Sequence, residues 1–149
     1  MSYLGEAILS FIAATAFGIV FNAPKKSLPY CGLVGMTGWL VKEYVLEFSG
    51  DQIIASFSGA FTIAFVAHIM AKKFKMPMII FSVAGIIPLV PGGMAYNAMR
   101  NVVEKDYGVA VEFAAIALMV SGSIAMGLVF AEILTQIWKE MLMRIKKRE

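Results

Sequence analysis

The chain has 149 residues, of which 60% are hydrophobic and 15% charged, and it carries a net charge of +3. An average soluble domain is about 45–50% apolar and about 25% charged, so this chain has too few polar residues to cover a soluble surface. One Cys excludes an internal disulfide framework and one His excludes a histidine-rich metal site, which leaves an all-α integral membrane helical bundle as the fold class.

Five apolar segments follow along a single transmembrane domain, each near the roughly 20 residues that cross a bilayer's hydrocarbon. The first runs from Tyr3 to Phe21. It has no basic leader and no small-residue cleavage site, and it exceeds a signal core in length, so it reads as a retained helix. Near its start Glu6 shares a helical face with Ser10 and Ala13, either as an interfacial carboxylate or as a functional one. The turn "NAPKKSLP" leads to the second segment, Leu28 to Leu46, where Gly32, Gly35 and Gly38 permit close helix approach and Cys31 reads as core. The third, Gln52 to Ala71, holds His68 near its basic end. That imidazole either bonds locally or relays protons near neutral pH. The fourth begins at Met76, and the fifth runs from Val109 to Trp138 before the tail "RIKKRE".

Orientation follows from Lys and Arg in the short loops, which stay on the cytoplasmic side. Lys25, Lys26, Lys72, Lys73, Lys75, Lys139, Arg144, Lys146, Lys147 and Arg148 fall on one side, against Lys42, Arg100 and Lys105 on the other. The N-terminus is therefore expected outside and the C-terminus inside. Tyr3, Trp39, Tyr44 and Tyr107 then lie near the outer interface, with Tyr30 and Trp138 near the inner one.

The fourth segment contains "FSVAGIIPLVPGGMAYNAMRN", with Pro88, Pro91, Gly92 and Gly93 inside an apolar run. Ending it at Val90 leaves about 15 residues, or roughly 22 Å, short of the ~30 Å core. Continuing it to Glu104 puts the break mid-membrane. Pro91 lacks an N–H and crowds the preceding turn, and the glycines permit conformations other residues avoid. Two half-helices would result, the second starting near Gly93 with the N–H groups of Gly93, Met94 and Ala95 free to meet an anion. A turn followed by an amphipathic surface helix, and a simple kink, are the alternatives. Asn97 and Arg100 lie one and nearly two turns further on. Arg100 either grips a carboxylate bidentately or pairs with Glu104 at i,i+4.

"IIPLVPGGMAYNAMRN", with its basic loop before and a long small-residue-rich segment after, resembles the small subunit of the threonine/serine exporter family. The specific part is Pro88, Pro91, Gly92 and the following Tyr96. The resemblance implies a bacterial inner-membrane protein that acts with a larger subunit of the same family. It implies proton-driven export of small carboxylates, threonine and serine or, in the two-subunit form, a dicarboxylate such as succinate, and higher oligomers are compatible with it. An odd span count starting outside suits the second half of an inverted-repeat transporter. The motif and the half-helix reading together make Pro91, Gly92, Gly93, Met94, Tyr96, Asn97 and Arg100 the expected substrate site.

In the fifth segment Glu132 shares a stripe with Ala114, Leu118, Ser121, Ala125 and Gln136. Small residues on a membrane helix mark a contact face, so Glu132 is expected to face protein. It is a proton-coupling candidate together with His68, or else an interfacial carboxylate; Glu112 reads as interfacial. No cofactor, metal or nucleic-acid partner is expected, and no HExxH or Gly-x-Ser-x-Gly motif supports an enzyme. A non-transporting scaffold subunit is the alternative function.

Overall fold

The computed structural model describes residues 3–146, with side chains as far as residue 141. The basic tail from Lys147 onward lies outside the described residues. Among the described residues six helices form: α1 (Tyr3–Val20), α2 (Leu28–Ser49), α3 (Gln52–Phe74), α4 (Met78–Ile86), α5 (Gly92–Val103) and α6 (Tyr107–Lys146). A single 3-10 turn, Ile87–Leu89, follows α4, and no strand occurs among the described residues.

The ends of these helices are written in local chemistry. Asn22 stops α1 in the left-handed region at φ 55, a conformation Asn tolerates, and Gly50 does the same for α2 at φ 66. Asp51 caps α3, its carboxylate accepting the Ile53 N–H at 2.8 Å. Lys72 and Lys73 sit in the last turn of α3, where the helix dipole favours cations.

Helix α2 is central. It packs on α1, α3 and α4, while α4 also touches α1 and α3. Helix α6 packs on α3 and α5. Small residues make the crossings possible. A Cβ on Gly35 would lie 2.5 Å from the Ala14 Cβ, and one on Gly38 would overlap Ile63 and approach the Gly59 carbonyl. The packing role expected of Gly32, Gly35 and Gly38 is what the helices use them for. Cys31, Val34, Ile63, Phe81 and Val120 are buried, while large apolar residues such as Leu4, Ile8, Leu118 and Met126 face outward. Apolar side chains on the outside suit a lipid solvent, in which helix association rests on close packing.

Three helices, α1, α3 and α6, are long and apolar enough to cross a membrane, and the α4–α5 pair makes a fourth if its two bent arms count as one span. The expected five are thus not all self-evident. Helix α2 is 22 residues long but carries Lys42, Glu43 and Glu47 toward its end. Its neighbours α1, α3 and α4 cover it, so it needs less apolar surface of its own. Helix α6 has 40 residues, about 60 Å, and outruns any bilayer core.

Candidate functional site at the broken segment

The fourth segment is interrupted as its sequence implies. Its two arms, Met78–Leu89 and Gly92–Val103, meet at 48°. Proline causes the break. Val90, placed before Pro91, is pushed to φ −60, ψ 129, and Pro91 itself follows at φ −76, ψ 49. The glycines have a different part from the one expected. Neither Gly92 nor Gly93 has a positive φ, and a Cβ on either would meet nothing within 4 Å. They start α5 in ordinary helical geometry and keep its first turn open.

The freed backbone groups are partly re-used. The Val90 N–H donates to the Ile87 carbonyl, the Gly92 N–H to Val90, and the Ala95 N–H to Pro91. Of the three amides expected to be free, Ala95 is therefore taken. Those of Gly93 and Met94 have no hydrogen-bond partner among the described residues.

The other expected site residues divide. Met94 packs against the core, whereas Tyr96 is 68% exposed. Asn97 accepts a bond from the Asn101 amide through its backbone carbonyl. Arg100 pairs with Glu104 at 2.8 Å on an exposed face, the side chains being 61% and 52% accessible. That is the i,i+4 alternative for Arg100, and it leaves the guanidinium engaged away from the bundle.

The 3-10 turn is where the segment meets the rest of the chain. It touches α1, α2 and α3. Beside it lies a cleft of about 330 Å³ lined by Glu6, Leu9, Ser10 and Ala13 of α1, Trp39 of α2, and Pro88. Glu6, Ser10 and Ala13 are the face read from the sequence, but its coupling to Pro88 was invisible there. Trp39, expected as an interfacial ring, turns against the core, and its buried Nε1 has no hydrogen-bond partner. Lys42 is 7% exposed, with Nζ 4.0 Å from the Trp39 ring centroid and 3.0 Å from a Glu43 oxygen. Their i,i+3 spacing on α2 makes the indole and the ammonium neighbours, but nothing in that spacing places the pair beside a proline turn.

A second cleft, of about 720 Å³, lies between α3 and α6. His68, Lys72, Lys73, Lys139, Trp138 and Phe65 are among its walls. His68 is within electrostatic reach of Glu132, Lys72 and Lys139, so the two proton candidates share one neighbourhood. The rest of this chain does not cover the stripe of Glu132. Glu132 is exposed, and so are Ala114, Leu118, Ser121, Ala125 and Gln136. The face of α6 buried by this chain is Val120, Ile124, Gly127 and Ala131. A Cβ on Gly127 would sit 2.6 Å from the Phe57 carbonyl, so backbone proximity to α3 fixed the rotation of α6.

The family model described as "Threonine/Serine exporter, ThrE" matches residues 6–134, which span both the cleft and the break. The chain belongs to the threonine/serine exporter family. With its apolar helices, that makes it a multi-pass membrane protein. An uncharacterized protein of Haemophilus influenzae is 30% identical over 104 residues, which is 70% of this chain and 35% of that relative. The match thus takes in about a third of the relative's length. No solved structure matches the chain. In this exporter-family chain Glu6, Ser10 and Trp39 line a cleft with Pro88 of the broken segment.

Proposed function

We propose that the chain is the membrane subunit of a two-component, proton-driven exporter of small carboxylates. It works with a larger subunit in the bacterial inner membrane, N-terminus outside and C-terminus inside. The observation that carries this reading is the Pro88–Pro91 break, whose 3-10 turn packs on α1, α2 and α3 and buries Leu89. Non-helical backbone is tolerated in a membrane where protein or a water-filled cavity meets it. Broken helices of this kind place substrate sites in transporters.

The partner has separate support. The stripe of Ala114, Ser121 and Ala125 on α6 is uncovered by this chain and carries Glu132 and Gln136 into the same face. Small and polar residues together are what membrane helices use to bind one another. A longer relative, matched over about a third of its length, is compatible with a second part supplied elsewhere. Threonine, serine and succinate all remain candidate substrates, and His68 with Glu132 is the proposed proton path.

The test is carboxylate efflux from proton-energised vesicles holding the chain and its co-purifying companion. Efflux above that of empty vesicles is expected, and its absence would reject the reading. Pro91→Ala separates transport from a scaffold role. A transporter loses most of its flux when the break closes toward helix, whereas a scaffold keeps normal export at normal expression.

A further inference from the structure

We propose that the cleft between α3 and α6 holds a phospholipid with an anionic headgroup, its phosphate among Lys72, Lys73 and Lys139 and an acyl chain along the apolar walls. The proposal stands on the chain's place in a membrane and not on the transport reading.

The cleft is made by how α3 and α6 meet. They touch at Gly127, where a Cβ would lie 2.6 Å from the Phe57 carbonyl and 3.1 Å from the Ala60 Cβ. Beyond that contact, toward Lys72 and Lys139, a cleft of about 720 Å³ lies between them. That is within the roughly 300–1,000 Å³ of ligand sites. Its lining is graded along both helices. On α3, Phe61, Phe65 and Ile69 give way to Lys72 and Lys73, and on α6 Leu134 gives way to Trp138 and Lys139. Phe61 to Lys72 is about three helical turns, or about 16 Å, which is the hydrocarbon depth of one leaflet. A cleft one leaflet deep, apolar at one end and cationic at the other, has the polarity profile of a single anionic phospholipid. A soluble anion would use only its basic end.

The charge at that end is unmet. Lys72, Lys73 and Lys139 are exposed and form no ion pair among the described residues. The Lys73 Nζ lies 5.8 Å from the Phe74 ring centroid, a contact that occupies none of its N–H donors. Glu132 is within electrostatic reach of His68, but neither Glu132 nor Glu140 lines the cleft. The Thr135 hydroxyl is bonded within α6, to the Ala131 and Glu132 carbonyls. The helix dipole accounts for Lys72 and Lys73 in the last turn of α3, but not for Lys139, about two turns before the end of α6 at Lys146. Lysine stems lie along apolar surface while their ammonium groups reach a headgroup. Basic pockets between membrane helices bind anionic headgroups in this way. Trp138, 67% exposed at the same level, is the ring type that sits among headgroups.

The experiment is photo-crosslinking in membranes holding the chain with its natural companions. The probe is phosphatidylglycerol with a diazirine on its acyl chain, set against the zwitterionic phosphatidylcholine analogue, and labelled residues are read by peptide mass spectrometry. Over residues 61–69 and 134–138 the anionic probe is expected to label at least about fivefold more, the worth of one Lys near an anionic surface. Leu4 and Ile8, exposed on α1, should take both probes equally and serve as the reference. Lys72→Gln combined with Lys139→Gln should bring the ratio at the cleft toward one, with labelling on α1 unchanged as the sign of a kept fold. Lys25→Gln with Lys26→Gln, in the turn after α1 and outside the cleft, should leave the ratio as it was. Equal labelling by the two probes, or a preference that survives loss of Lys72 and Lys139, would overturn the proposal. So would displacement of the probe by millimolar inorganic phosphate, which would give the lysines to a soluble anion. Cross-links from the cleft to a companion protein in place of lipid would also overturn it, and would make the cleft a subunit contact.

Discussion

Arg100 and Trp39 show how differently two side chains of obvious chemistry can be used. Arg100 has the guanidinium suited to a carboxylate, yet it lies on an exposed face with Glu104 at 2.8 Å. Exposed pairs of this kind contribute about 0.2–1 kcal/mol. Arg100→Ala is therefore expected to move the melting temperature of the purified protein by no more than a degree or two, so a flux loss in that variant would report contact with something outside this chain. Trp39 looks like a membrane-belt ring but lies in the bundle with its N–H unmet and Lys42 on its face. Trp39→Phe keeps a ring under the ammonium and removes the orphaned donor, which costs about 1–3 kcal/mol when left unsatisfied. Thermal melting of Trp39→Phe is expected to be equal to or above that of the unaltered chain, and a lower melting temperature would mean that the indole N–H has a partner outside this chain.

At the scale of elements, glycine divides into two kinds. Gly38 and Gly59 sit where α2 crosses α3, and a Cβ on Gly59 would lie 2.9 Å from the Gly38 carbonyl. Gly92 and Gly93 open α5 with nothing near them. Gly38→Ala must displace Ile63 and is expected to cost about 1–3 kcal/mol, the range for overpacking a tight core. Gly93→Ala should leave stability unchanged or slightly raised, since Ala exceeds Gly in a helix by about 0.5–1 kcal/mol. Denaturation in mild detergent would separate the pair. Equal losses would mean that the opening of α5 is packed against something. The prolines divide as well: Pro29 starts α2 where its missing N–H is harmless, whereas Pro91 forces Val90 out of helix and makes the break.

Across the whole molecule, α1 to α4 all touch the turn at Pro88, while α6 lies on α3 and α5 with much of its surface uncovered. Its exposed stripe is the surface on which a second subunit would be recognised. Ser121→Leu and Ala125→Leu are expected to reduce co-purification of the companion several-fold without lowering the melting temperature of the chain by itself, because both positions are exposed. Unchanged co-purification would move the contact to another face. Two clefts lie apart in the molecule: the smaller one beside the turn at Pro88, and the larger one between α3 and α6, where His68, Lys72, Lys73 and Lys139 gather.

Composition by itself settled that the chain is a helical membrane protein, because 60% hydrophobic residues cannot be hidden inside 149. Pro88 and Pro91 settled where the fourth segment breaks, because a ring that removes an N–H and restrains the residue before it acts locally. The face of Glu6, Ser10 and Ala13 was legible for the same local reason, as were the caps at Asn22, Gly50 and Asp51. What the tertiary structure decided was rotation and adjacency. Periodicity put Glu132 on a small-residue stripe but could not tell which partner that stripe meets. The near-contact of Gly127 with the α3 backbone turned it outward instead. Likewise nothing in α1 or α2 names Pro88 as a neighbour. Bringing Glu6, Trp39 and Pro88 around one cleft depends on contacts between residues far apart in the chain, and those are fixed by how the helices pack.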